Sequence, residues 1–266
     1  MKPLPDVMVA PNGARLTKAD HPALPVTIGE IVDCALACRR AGAGGLHAHV
    51  RDADQRHVLD AGLYRELLAE LNRKAPGFYV QITSEAAGIF APDAQRRLVE
   101  DLRPYAVSIA LREITARQDR AVTRRFFAMC ADSGIGVQHI LYDTGDVAHL
   151  ARLVDVGDVA RDGLMALIVL GRYTTGQVSA PGDVAALATR LTTALPGVDW
   201  SACAFGAQET ACLIEAMRHG GKARIGFENN RQNADGSLAA DNAERVTELV
   251  AQLRTLGNSL EQEMHS

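Results

Sequence analysis

Short apolar runs that alternate eight times with longer stretches of helical period predict an α/β chain folded as a (βα)8 TIM barrel, a single domain over residues 1–266. Two further observations agree. No proline- or glycine-rich linker is long enough to separate one domain from another, and 266 residues is close to the roughly 250 that eight strand–helix units take. An open, doubly wound sheet is the alternative, disfavoured because no GxGxxG follows the first run.

The runs come in order, each with its helical partner. DVMVA (6–10) leads to IGEIVDCALACRRAG (28–42), and GGLHAHV (44–50) to LYRELLAELNRKA (63–75). FYVQIT (78–83) precedes DAQRRLVEDL (93–102), and YAVSIAL (105–111) precedes RAVTRRFFAMCADSG (120–134). GVQHILY (136–142) is followed by DVAHLARLVDVG (146–157), and LMALIVLG (164–171) by DVAALATRLTTAL (183–195). VDWSACAF (198–205) leads to TACLIEAMRHGG (210–221), and KARIGFE (222–228) to AERVTELVAQLRTLG (243–257). In every partner, apolar residues recur three or four positions apart, the spacing of one helix face.

Composition narrows the function. Hydrophobic residues make up 47% of the chain and aromatic ones only 5%, which suits helices packed around a sheet. A net charge of −4 gives no footprint for nucleic acid. Without an 18-residue apolar span or a basic run, neither a membrane crossing nor an anchor is expected. MKPLPDVMVAPNGA lacks the apolar core of a signal peptide. Cys34, Cys38, Cys130, Cys203 and Cys212 form an odd, scattered set, the first two one helical turn apart as core residues would be. A reduced, cytoplasmic protein is the expectation.

Barrels of this kind carry their active sites at the C-terminal ends of the strands. Chemically able residues gather there: Asn12 and Arg15, then His47, His49, Arg51 and Asp52, then Thr83, Ser84 and Glu85. Arg112 and Glu113 follow the fourth run, Tyr142 and Asp143 the fifth, Arg172 and Tyr173 the sixth, and Glu228 and Asn229 the eighth. The stretch GGLHAHVRD is the most specific. On a strand, His47 and His49 project from one face, about 6–7 Å apart at Cα, a spacing that suits two ligands of one metal ion. A catalytic zinc site needs a third protein ligand and an open position. Glu228 shares a strand face with Arg224 and Gly226, and could complete a His47, His49, Glu228 triad. Two core histidines satisfied by hydrogen bonds are the alternative for the pair. His139 opposes the inward parity of Ile140 and is expected to face the helices as a satisfied core residue.

PNGARLTKADHPALPVT, HAHVRD, QITS, LYDTG and GGKARIGFENN together resemble the β-keto acid cleavage enzymes, whose founding activity is 3-keto-5-aminohexanoate cleavage, nearly end to end. The resemblance implies a zinc-dependent barrel, commonly a homotetramer, that turns a β-keto acid and acetyl-CoA into acetoacetate and a new CoA ester. It makes His47, His49 and Glu228 the zinc ligands, Arg224 the strand-8 arginine and Thr83 the strand-3 hydroxyl. Ser84, Ser108, Asn12 and Arg15 become candidate substrate-binding residues.

Four family positions differ. An aspartate after the zinc glutamate is Asn229 here, a glutamate in the fifth strand falls at Ile140, an acid after the first strand at Arg15, and an asparagine in the fourth strand at Ala110. An amide cannot serve as a base at neutral pH. Glu85 is the preferred replacement base, with Glu113 and Asp143 as other candidates, and a helix N-terminal neighbour as the plain alternative for Glu85. Asn229 is expected to leave Arg224 without an acidic partner, and with Arg15 on the facing loop this suggests a more anionic substrate. The loop LGRYTTGQVSAP lies where the family binds the CoA tail, with Arg172 a candidate phosphate contact. Two other functions remain open: a metal-dependent lyase or hydrolase of a small carboxylate without CoA, and a non-catalytic zinc barrel.

Overall fold

The computed structural model describes residues 2–264, with side chains as far as residue 255. Eight parallel strands close into a barrel in sequence order. The first half comprises β1 (Val7–Val9), α1 (Ile28–Ala41), β2 (Gly45–Ala48), α2 (Ala61–Lys74), β3 (Tyr79–Thr83), α3 (Pro92–Leu102) and β4 (Ala106–Ala110). After it come α4 (Leu111–Ile114), α5 (Arg120–Asp132), β5 (Gly136–Leu141), α6 (Thr144–Asp155), β6 (Met165–Leu170) and α7 (Pro181–Ala194). β7 (Asp199–Ala204), α8 (Glu209–Arg218), β8 (Lys222–Ile225) and α9 (Asn242–Met264) complete the ring. β8 pairs with β1 through Val7–Ala223, Met8–Arg224 and Val9–Ile225, so the sheet has no edge.

Helix starts follow local chemistry. Thr27 and Glu30 form a capping box on α1, and Asp60, Asp119 and Asp143 accept backbone N–H groups at the starts of α2, α5 and α6. Alternate strand residues divide the interior from the helix layer. Val9, Leu46, Ile82, Ile109, Leu141, Ile168, Ala202 and Ile225 point outward into the main core against the helices. Inward residues stack in three tiers. Leu4, Met8, Tyr79, Ala106 and Met165 plug the bottom. A polar tier of Gln81, Gln138 and Ser201 lies above, and the mouth opens over it.

Several boundaries differ from the sequence expectation. The eighth strand ends at Ile225, not 228, because Gly226 takes a φ of 142° and turns the chain. The fourth run stops at Ala110, where a short helix, unexpected from the sequence, begins at Leu111. Cys34 and Cys38 do sit one turn apart on α1, with sulfurs 3.9 Å apart, and all five cysteines are free. Among the described residues no helix is long and apolar enough to cross a membrane.

His139 faces the helices as expected, its ring 5.1 Å from that of Phe127, but it is not satisfied: its Nδ1 is buried without a partner. Burial pushes its pKa down to about 4 from 6.5. Between those two values the unfolded chain binds a proton that the folded chain refuses, so stability falls as pH drops through the window. A small void of about 50 Å³ beside it can take a larger ring. His139→Phe is therefore expected to flatten the decline between pH 6.5 and 5 by up to about 1.4 kcal/mol per pH unit, read by urea denaturation across that range.

Candidate metal centre and active site

Three donors meet at the mouth between β2 and β8. The Nε2 atoms of His47 and His49 are 3.2 Å apart, and Glu228 Oε2 lies 3.6 Å from each. A four-coordinate ion with bonds of about 2.1 Å holds neighbouring donors about 3.4 Å apart, so the triangle fits such an ion. Both imidazoles are fully buried. Burial first, and Arg224 next, holds His47 well below its usual pKa, and burial with neighbouring His57 does the same for His49. Both are thus neutral, the form that binds metal. Glu228 Oε2 has no hydrogen-bond partner, which leaves it available as the third donor.

The proton on His47 is placed by residues beneath it. Gln138 Nε2 donates to the main-chain oxygen of Ala166 (3.1 Å), a pure acceptor, and to Ser201 Oγ (2.8 Å). That turns Gln138 Oε1 toward Gln81, whose Nε2 donates to it at 2.9 Å. Gln81 Oε1 then faces His47 Nδ1 at 2.9 Å and can only accept. His47 therefore carries its proton on Nδ1 and presents a lone pair at Nε2.

His49 is positioned through its backbone. Asn12 Nδ2 donates to the His49 oxygen (2.9 Å) and to that of Pro25, while Oδ1 accepts from the His49 N–H (3.3 Å). Asn12 lines the cavity, but its amide is engaged in holding a ligand. Arg51 donates to the carbonyls of Asn12, Gly13, Ala14, Leu16 and Gln55, and Asp52 folds the next turn through the N–H groups of Asp54 and Arg56. In HAHVRD only the histidines address the site.

Glu228 reaches it by a turn rather than by strand parity. At Gly226 a Cβ would lie 2.5 Å from the Ala10 oxygen and 2.9 Å from Asn242 Oδ1, so the kink needs glycine. Three successive N–H groups then find fixed acceptors: Gly226 on Glu209 Oε1, Phe227 on Asn242 Oδ1 and Glu228 on the Ala10 oxygen. Glu209 is itself fully buried and paired with Arg245, also fully buried, at 3.1 Å. Gln81 opens the QITS motif but carried no role of its own, and no motif marked Gln138, Asn242 or this pair; the inward parity of the two glutamines on apolar strands was the available signal.

The remaining candidates divide. Arg224 donates to Glu228 Oε1 (3.2 Å) and Cys203 Sγ (3.4 Å), so it does keep an acidic partner, while its buried Nε and Nη1 are unpartnered. Arg15 is paired with Glu85 at 2.8 Å and is half exposed, so it adds no free cation to the site. Glu85 Oε2 lies 4.0 Å from His49 Nε2. Thr83 Oγ1 accepts from the Glu85 N–H, and both residues line the cavity. Asn229 lines it too, with both amide atoms buried and unpartnered. Ser84 and Ser108 are buried outside the lining, Ser84 donating to the Ser108 oxygen. Glu113 accepts from Ala86 N–H and Gln95, and Asp143 caps α6 and pairs with Arg112, so neither faces the cavity. The whole enclosure measures about 490 Å³.

Two substitutions test the supports. Gln81→Leu removes the partner of His47 Nδ1 and is expected to weaken zinc or cobalt(II) binding about 10–100-fold by competitive chelator titration, with the barrel's circular dichroism retained. Gly226→Ala is expected to destabilise the fold by about 2–4 kcal/mol in chemical denaturation and to weaken metal binding as Glu228 is displaced.

With this geometry the likeness to known proteins is extensive. Residues 7–263 match the profile of the beta-keto acid cleavage enzymes. A 3-keto-5-aminohexanoate cleavage enzyme of Fusobacterium nucleatum subsp. nucleatum is 25% identical over 93% of this chain and 90% of its own length. A 3-oxoadipate:acetyl-CoA acetyltransferase of Cupriavidus necator is 24% identical over 92% of this chain and 87% of its own. Among solved structures, ObcA in binary complex with oxaloacetate superposes with a TM-score of 0.70 at 15% identity, over 90% of this chain but only 64% of that protein's length, a likeness of fold alone. The 3-dehydroquinate dehydratase of Geobacillus kaustophilus matches at a TM-score of 0.58 and 13% identity, over 93% of this chain and 91% of its own. The profile covers nearly the whole barrel and both halves of the donor triangle, and the chain belongs to the beta-keto acid cleavage enzyme family.

Proposed function

We propose that this enzyme uses zinc and acetyl-CoA to convert a β-keto acid into acetoacetate and a new acyl-CoA. The carrying observation is the convergence of His47, His49 and Glu228 beside an Arg224 whose Nε and Nη1 are buried and unpartnered. The exchange balances: the C2–C3 bond of the keto acid breaks, its acyl part joins the CoA sulfur, and its CH2–carboxylate joins the acetyl carbon. Relatives named for acetyl-CoA transfer support the second substrate. Zinc, when bound by this triad, would polarise the keto and carboxylate oxygens and stabilise negative charge on them.

The chain's own groups fit the other tasks. Arg224 offers two free N–H directions for an oxyanion inside a buried site, where such donors act most strongly. Asn229, unable to serve as a base, offers its amide N–H to a substrate oxygen. Thr83 uses an oxygen lone pair on the Glu85 N–H, so its hydroxyl proton is free to point at substrate. Glu85, held by Arg15 and 4.0 Å from a metal-ligand nitrogen, takes the proton from C2 and returns it to the same carbon once the C2–C3 bond has broken. Arg15 thereby becomes a positioning residue, and Asn12 serves His49. Arg172 lines the mouth with its guanidinium 5.5 Å from the Phe205 ring and 5.8 Å from that of Tyr173, a planar cationic face suited to a nucleotide tail. Assembly as a homotetramer and residence in the cytoplasm complete the proposal, the former testable by light scattering as four times 28.5 kDa.

The zinc-loaded protein, given a panel of β-keto acids with acetyl-CoA, is expected to release acetoacetate detectable by mass spectrometry. Glu228→Ala is expected to lose both metal and product. Glu85→Gln is expected to keep the metal and lose about 10²–10⁴-fold in kcat. Full activity in Glu85→Gln would remove the base from that position. Absence of product from every acid, with zinc held at one equivalent, would point to a lyase or hydrolase that does without CoA.

A further inference from the structure

The mouth is chemically divided. Every metal donor, with Arg224, Asn229, Thr83 and Glu85, belongs to the arc running from β8 through β1 and β2 to β3. On the opposite arc, β4 to β7 turn Ala110, Ile140, Leu167, Val169 and Cys203 inward as one apolar cluster, with Tyr142 and Phe205 packed on it. The cluster is continuous through the sheet register: Ala110 beside Ile140, Ile140 beside Leu167, and Val169 beside Cys203. Ile140, Tyr142, Val169 and Phe205 face the cavity directly. The charges around this arc are engaged or peripheral. Arg112, 4.6 Å from the Tyr142 ring, is paired with Asp143 and Asp146 at 2.7 and 2.5 Å. Arg172 stands at the rim against Phe205, and Arg224 meets the edge of the wall at Cys203 Sγ.

A keto acid held by its two oxygens against the triad and Arg224 must send its C3 substituent away from that arc, toward the wall. We propose that this wall is the side-chain subsite, selecting β-keto acids whose C3 substituent is an uncharged alkyl chain, with Ile140 and Val169 as specificity-determining residues. The assignment rests on the β-keto acid cleavage proposed above. It separates the protein from relatives named for 3-keto-5-aminohexanoate and 3-oxoadipate, whose corresponding substituents carry an amine and a carboxylate. Either charge placed against Ile140 would lose its water without gaining a partner. Each methylene placed there raises transition-state affinity about fourfold.

Four acids test it: 3-oxopentanoate, 3-oxohexanoate one methylene longer, and the charged 5-amino-3-oxohexanoate and 3-oxoadipate, each with acetyl-CoA and zinc-loaded protein. The expected kcat/KM rises about fourfold from 3-oxopentanoate to 3-oxohexanoate. It is expected to fall on the order of 100-fold for either charged acid. Equal or better turnover of the amino acid or the dicarboxylate would overturn the subsite and leave the cleavage reaction standing. No turnover of any of the four would overturn both together. Ile140→Glu is expected to reverse the order between 3-oxohexanoate and its 5-amino analogue. Val169→Thr, nearly isosteric and with its fold checked by circular dichroism and urea denaturation, is expected to lower kcat/KM for 3-oxohexanoate about tenfold; an unchanged value in the folded variant would overturn the wall's role.

Discussion

A directional chain of hydrogen bonds across the barrel interior, from the Ala166 carbonyl through Gln138 and Gln81 to His47, aims the donor cluster at the mouth. Its direction follows from one group that can only accept, the main-chain oxygen, and each amide passes the constraint on. The chain joins β2, β3, β5 and β6, so the tautomer of a histidine is set by strands on the far side of the barrel. Buried amides are expensive unless satisfied, and here each member has its partner. The polar tier is therefore both a filler of the barrel and the instrument that prepares a lone pair at His47 Nε2.

A second constraint serves the other half of the triangle. Glu228 stands on a turn whose three N–H groups are taken by Glu209, Asn242 and the Ala10 oxygen. Glu209 and Arg245 are wholly buried, and loss of either partner from such a pair typically costs about 3–5 kcal/mol because the other charge is stranded. Arg245 also bonds Thr210, Asn233 and Glu248, so α8, α9 and the segment before α9 are tied to the same carboxylate. The two histidines and the glutamate arrive from opposite ends of the chain, each on a support of a different kind: an interior amide chain for one, a cross-linked turn for the other.

Much of this was legible in the sequence. Alternation of apolar runs with helical periods gave the barrel, HAH gave two donors on one face, and the late glutamate gave the third. Strand parity does not explain the position of Glu228, because the positive φ of Gly226 ends the strand before it. Similarly, residues counted as chemical because they follow strands proved to be caps and braces, Asp143 on α6 and Arg51 on five carbonyls. Sequence order cannot distinguish a carboxylate facing a cavity from one accepting N–H groups behind it. The Arg15–Glu85 and Arg224–Glu228 pairs join residues whose side chains meet only after the loops fold, so neither the neutralised Arg15 nor the retained partner of Arg224 was visible beforehand.

The wide separation of the donors along the chain has a consequence for how the protein is made. His47 and His49 leave the ribosome early, while Glu228 follows 179 residues after His49 (228 − 49). Gln138, which fixes the orientation of His47 through Gln81, is also translated well after both histidines. Two histidines on an unclosed strand lack the third donor and the fixed tautomer that make a tight site. The donor triangle, with the tautomer set on His47, is therefore complete only once the ring has shut.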